Sequence, residues 1–289
     1  DPVAFPAILS GDVGEPGDAS DNVDHVVTAA GATAGTVFDG FEVTGGFAQV
    51  ETNGAGIYIS GGTPTIRNVH VRNNGATGGG GGIWADGGTF ESVTVSGNSA
   101  TNGGGIVIAG NTTLRNVTIT GNTALGDGGG IAVSAGAANL ANVTIAGNIA
   151  VGAGDGILLT GGSIGMSNSL SWQGIGDATD EVSHTGGTFT AAFSDIRGAC
   201  PGTCDDAVIG DPLLGSLSDN GGFVPTMSIP SSSPAVDSGD AGRCLAADAR
   251  SITRPQDGDG TGGTACDLGA YELFFPTVAF SQPAMPAQT

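Results

Sequence analysis

A repeat of about 25 residues constrains this chain more than any other feature. Short glycine-rich strings recur, each ending in isoleucine: GAGI at Ile57, GGGI at Ile83, Ile106 and Ile131, and GDGI at Ile157, spaced by 26, 23, 25 and 26 residues. A second register keeps the same period: NVHV (68–71), SVTV (92–95), NVTI (116–119), NVTI (142–145) and a degraded NSLS (168–171). Periods of this size mark stacked supersecondary units. Each unit reads as a short strand after the glycines, a turn, and a second strand alternating with period two. Val117 and Ile119 then point one way, and Asn116, Thr118 and Thr120 the other. No helical period competes with this pattern.

The expectation is therefore an all-β parallel solenoid. At a strand spacing of about 4.8 Å, equivalent residues of successive coils lie above one another. Val93, Val117 and Val143 form one interior column, and Val95, Ile119 and Ile145 the next. Beyond them lies an asparagine in each of four successive coils: Asn74, Asn98, Asn122 and Asn148. Asparagine tolerates the left-handed conformation of a sharp corner, and its amide donates and accepts along the stack, so these four predict a structural ladder. The glycine runs suit the opposite corner. With TVFDGFEVTGG (36–46) as an earlier coil and GGTFTAAFSDIRG (186–198) as a last one, the rod has about seven coils. The organisation follows: an entry segment or cap over 1–30, coils over 31–198, a cap or side-packed extension over 199–272, and a tail over 273–289.

Composition narrows the function. The chain has no lysine, and its 28 acidic residues against 7 arginines give a charge of −21, which argues against nucleic-acid binding. Only four of those acids fall within 53–174; the flanks hold the rest. No run approaches the roughly 20 apolar residues of a spanning helix. Four cysteines, Cys200, Cys204, Cys244 and Cys266, fall into two sequence-local pairs. An even count suggests an oxidising compartment and two disulfides, although four cysteines allow three connectivities. A chain opening at Asp1 without methionine reads as a mature, exported polypeptide.

Catalytic residues are not evident. The outward positions after the glycines are Tyr58, Ser60, Trp84, Asp86, Val107, Ala109, Ala132, Ser134, Leu158 and Thr160. They hold one carboxylate, where glycoside hydrolysis needs two facing ones and proton abstraction needs a base beside a cation. His25, His70 and His184 lie too far apart in coil order to share a metal. Tyr58 and Trp84 are the candidates for stacking on a sugar ring. The Ser/Thr row of the second strand (Thr94, Thr118, Thr144) reads as an ordinary solvated β face. Asp12, Asp18 and Asp21 with Asn22 in the entry segment, and Asp257 with Asp259 near the end, offer oxygen ligands on glycine-flexed loops for a structural Ca²⁺.

The repeat strings resemble the GGA[ILV] and FxxN repeats of the bacterial polymorphic outer-membrane-protein family, with Val or Ile in place of Phe. LSGDVGEPGDASDNVDHVV (9–27) resembles the entry segment of bacterial surface β-helix proteins. DPLLGSLSDNGG (211–222), SPAVDSGD (233–240) and RPQDGDGTGGTACDLGAYE (254–272) together resemble the C-terminal half of a choice-of-anchor domain. The resemblance implies a right-handed parallel β-helix, export and attachment at a cell surface, and no single activity. The expected function is a non-catalytic structural or adhesive surface module. The apolar LFFPTVAF (273–280) is positioned to add to an edge of another copy and build an assembly or filament. The alternative is a glycan-binding or polysaccharide-degrading β-helix protein.

Overall fold

A computed structural model describes residues 7–172, 181–262 and 265–275. Parallel strands wind into a solenoid with three walls and a short corner sheet. The first wall stacks seven strands, among them Ile57–Ser60, Ile83–Ala85, Ile106–Ile108 and Ile131–Val133. The second stacks eight, from Val37–Asp39 through Thr112–Arg115 to Thr203–Asp205, and the third stacks eight, from Ala7–Ser10 through Thr118–Thr120 to Asp195–Ile196. Five two-residue strands, Phe47–Ala48 to Ile149–Ala150, turn the corner between the third wall and the next coil. Ile57, Ile83, Ile106, Ile131 and Ile157 stand in direct register.

Alternation explains the interior. Val93, Val117, Val143, Val95, Ile119 and Ile145 are fully buried in one continuous core. The second wall is the element the repeat did not announce. Between the two recognised strands, TIR (65–67), GTFE (88–91) and TTLR (112–115) read as turns, yet each is a strand that sends Ile66, Phe90 or Leu114 into the core.

The asparagine ladder runs unbroken. Nδ2 of Asn74, Asn98 and Asn122 donates to Oδ1 of the next asparagine at 3.0, 2.9 and 3.0 Å, and all four side chains are buried. The left-handed residue at this corner is the one before each ladder asparagine: Asn73, Gly97, Gly121 and Gly147. The glycine runs, expected at the opposite corner, lie beside the ladder instead, where close approach demands glycine: a Cβ at Gly105 would stand 3.0 Å from Asn122 Nδ2 and 2.6 Å from the Gly130 carbonyl oxygen of the next coil.

The flanks join the solenoid. Residues 7–30 supply a third-wall strand, Ala7–Ser10, and a first-wall strand, Val27–Ala30. Past Asp205 the chain runs back along the outer face of the third wall. There Thr94 Oγ1 donates to Pro225 O at 2.7 Å, Asn116 Nδ2 to Ala247 O at 2.8 Å, and the Ala270 N–H to Thr144 Oγ1 at 3.0 Å. Asn168 accepts from Asp240 N and donates to Asp240 O. The Thr row taken from the sequence as solvated is therefore covered: Thr94 and Thr118 are 1% exposed and Thr144 2%. Disulfides Cys200–Cys204 and Cys244–Cys266 close the two local pairs.

Candidate functional site

What each wall shows the solvent decides where chemistry or binding can occur. On the first wall, Tyr58, Trp84, Val107, Ala132 and Leu158 form one outward column by register. The glycine turns fold over it: a Cβ at Gly103 would meet Val107 at 2.6 Å, and one at Gly54 would meet Trp84 and Tyr58 at 2.8 and 2.9 Å. Val107, Ala132 and Leu158 are buried, with Trp84 packed against them. His25 stacks on Tyr58 at 4.7 Å between centroids and 9° between planes, and its ring nitrogens contact Gly54 O and Glu51. Of the two rings proposed for sugar stacking, Tyr58 thus has one face against His25 and Trp84 packs on the buried column, and both stay half-exposed. The third wall is closed by the extension.

The second wall stays open. Its two outward rows, in register, are Val37, Thr65, Thr89, Thr113, Asn139, Gly165, Thr190, Thr203 and Asp39, Arg67, Glu91, Arg115, Ala141, Ser167, Ala192, Asp205. The second row begins as an alternating charge ladder, with Arg67 2.9 Å from Asp39 and Arg115 3.6 Å from Glu91. Opposite charges in directly facing positions of adjacent strands stabilise the pairing modestly. Beyond Arg115 the row turns small, and a trough of about 530 Å³ opens over Ala141, Gly165 and Ser167, rimmed by Arg243 of the extension.

Histidines contribute no cluster. His70 donates to or accepts from Ser96 Oγ at 2.7 Å, and burial lowers its pKa to about 4, against the pull of Glu42 and with the push of Arg72. His184 contacts Pro201 O and Gly187 O.

The acidic flanks are largely consumed by folding. In the entry segment Asp12 accepts from Gly17 N, Asp18 from Ser20 N and Asp21 from Glu15 N. The Ser20 hydroxyl and N–H hold Asp18 below the usual carboxylate range. These three do not converge on one point, and among the described residues the single group of three potential metal ligands is Asp237, Asp257 and Asp259, with oxygens within 4.8 Å of one another. Asp237 went unmarked in the sequence because the fold brings it in from 20 residues away. Its Oδ2 accepts from Gly258 N and Asp259 N, while Oδ1 of Asp237 and of Asp257 are shielded and lack a donor. Burial, then the neighbouring Asp259 and Asp257 charges, raises the Asp237 pKa. This all-oxygen set fits a hard cation such as Ca²⁺.

The string from Arg254 to Glu272 builds a buried network. Arg254 and Glu272 approach to 3.5 Å, Arg254 donates to Asp267 O and Gly269 O, and Arg250 pairs with Asp248 at 2.7 Å. Burial, then Glu272, raises Asp267 to about 7. Asp195, 1% exposed at the end of the third wall, has no partner for either oxygen; burial and then Asp211 raise it to about 7. Of the tail, only residues 273–275 lie within the described residues, so the expected edge addition by 273–280 falls outside them. No helix among the described residues is long and apolar enough to cross a membrane.

Residues 21–170 match the family described as the right handed beta helix region. No curated protein and no solved structure matches the chain.

Proposed function

The chain belongs to the right-handed β-helix family, and on that premise we propose that it is a non-catalytic extracellular module, structural or adhesive, at the surface of a bacterium. One observation carries the reading. The open second wall pairs Arg67 with Asp39 and Arg115 with Glu91 and presents no pair of facing carboxylates, and the uncovered outward row of the first wall, Ser60, Asp86, Ala109, Ser134 and Thr160, holds a single carboxylate. Fixed polar contact is what such a surface offers; proton transfer needs a poised acid or base. The buried carboxylates with raised pKa values are Asp195, at the end of the third wall, and Asp267 and Glu272, within the extension; none belongs to an outward row of the second wall.

Two disulfides support an oxidising environment. The resemblance of 211–272 to an anchor-proximal domain supports surface attachment, and the 273–289 tail is the segment for anchoring or self-association. Incubation with neutral and uronate polysaccharides, scored for new reducing ends and for unsaturated uronate absorbance, tests the reading. Release no greater than from heat-denatured protein is expected; sustained turnover makes the protein a polysaccharide-degrading enzyme instead.

A further inference from the structure

We infer that Asp195 and Asp211 form a binding site for a small divalent cation, Mg²⁺, at the seam between the last coil and the extension. Register places Asp195 on the outward side of the third wall, next to Leu170 in the row that runs through Thr94, Thr118 and Thr144. Leu170 packs against Val208 and Leu214, and the Val208 N–H donates to Ser194 O at 3.1 Å. The stretch 208–214 therefore crosses the end of this row and brings the Asp211 charge to bear on Asp195.

Packing does not explain a carboxylate at this position. The preceding residues of the row are uncharged: Thr94 and Thr144 hydrogen-bond to the extension, and Leu170 joins its apolar cluster. Asp195 is 1% exposed, and neither of its oxygens has a hydrogen-bond partner among the described residues. An ionised carboxylate buried without a partner is strongly destabilising. Protonation removes the charge and still leaves a carbonyl oxygen without a donor. A cation answers both deficits, because it takes both oxygens and turns the repulsion by Asp211 into a second ligand.

Asp211 suits that role. It is exposed; its Oδ1 accepts from Leu213 N at 2.9 Å, and its Oδ2 accepts no bond among the described residues. One carboxylate thus lies on the coil side and one on the solvent side. Mg²⁺ is held by about one or two carboxylates and keeps several waters, which the solvent side supplies. Ca²⁺ takes about six to eight oxygens and is better served by the group of Asp237, Asp257 and Asp259. Asp205 and Asp206, exposed on the same connection, add to the negative field that draws a cation in. A bound ion fastens the start of the extension to the last coil.

The test is thermal unfolding of the full chain at pH 8, above the value of about 7 to which burial and Asp211 raise Asp195. Wild type, Asp195→Asn, Asp211→Asn and the Asp257→Asn/Asp259→Asn double variant are compared in chelator and in Mg²⁺. Asparagine keeps the shape of Asp195 and, at position 211, the oxygen that accepts from Leu213 N. In chelator Asp195→Asn should melt above the wild type, because a buried unpartnered charge is gone. At about 10 mM Mg²⁺ the wild type and the double variant should gain about 2–5 °C, and Asp195→Asn and Asp211→Asn less than about 1 °C. Titration calorimetry should show one Mg²⁺ site in the wild type that both single variants lack. No gain in the wild type, an equal gain in Asp195→Asn or Asp211→Asn, or a gain lost only in the double variant overturns the inference.

Discussion

Replacing Asn122 by alanine tests whether the ladder holds the coils in register. The Asn122 side chain makes four hydrogen bonds: Oδ1 accepts from Asn98 N at 3.0 Å and Asn98 Nδ2 at 2.9 Å, and Nδ2 donates to Val95 O and Asn148 Oδ1, both at 3.0 Å. Some stranded partners are rescued. Asn98 Nδ2 still reaches Val71 O, and Asn148 Oδ1 still accepts from the Asn122 backbone N–H. The Asn98 backbone N–H is left buried with no acceptor. That group costs about 1–3 kcal/mol, and each of the three further lost bonds about 1 kcal/mol, so Asn122→Ala should destabilise the protein by roughly 4–6 kcal/mol. Asn111 provides the control, since its Oδ1 also crosses coils, to Ala137 N at 3.0 Å, but in an exposed position. Asn111→Ala should cost less than about 1 kcal/mol. Urea unfolding followed by circular dichroism gives both values, provided the m-values agree. Equal losses for the two variants would refute the ladder as an energetic element.

Two other outcomes follow from buried and clustered carboxylates. Asp195 has a folded pKa of about 7, above its unfolded value of 3.8, so its favourable contribution is full below pH 3.8 and lost as pH rises through 7. Asp195→Asn should then stabilise by about 2 kcal/mol at pH 8 and do little at pH 4; a constant difference between the two denaturation midpoints would contradict the burial argument. If the Asp237, Asp257 and Asp259 group holds Ca²⁺, adding the ion to chelator-treated protein should raise the melting temperature by about 2–5 °C, with no rise in the Asp257→Asn/Asp259→Asn double variant. An equal rise in both proteins moves the ion elsewhere, and no rise in the wild type removes it.

The fold was legible where side chains alternate against their own neighbours. Val117 and Ile119 declare an interior face within four residues, and the asparagines declare a stack because they recur in four successive coils. The second wall was harder to read: Thr65–Arg67 is three residues long and bounded by Pro64 and Asn68, so turn chemistry masked one buried Ile66. Contacts between distant segments were out of reach. Thr118 looks solvated in its own coil, and only the chain more than 100 residues later covers it, as the Asn116 to Ala247 and Thr144 to Ala270 bonds show. Asp237 joined Asp257 and Asp259 for the same reason. Tyr58 and Trp84 point outward as alternation requires, but the glycine turns that cover them leave no side-chain pattern to read.

The extension closes the third wall and leaves the second open. Thiol labelling of two single-cysteine additions measures it directly. Thr118, 1% exposed with a hydroxyl that has no partner, accepts Thr118→Cys without losing a bond, and Thr113→Cys places a thiol in the open trough. Under native conditions Thr113→Cys should react at the rate of an accessible thiol, and Thr118→Cys on the order of 100-fold or more slowly, limited by opening of the extension. Rates within a few-fold of each other would show the third wall to be free and contradict the account.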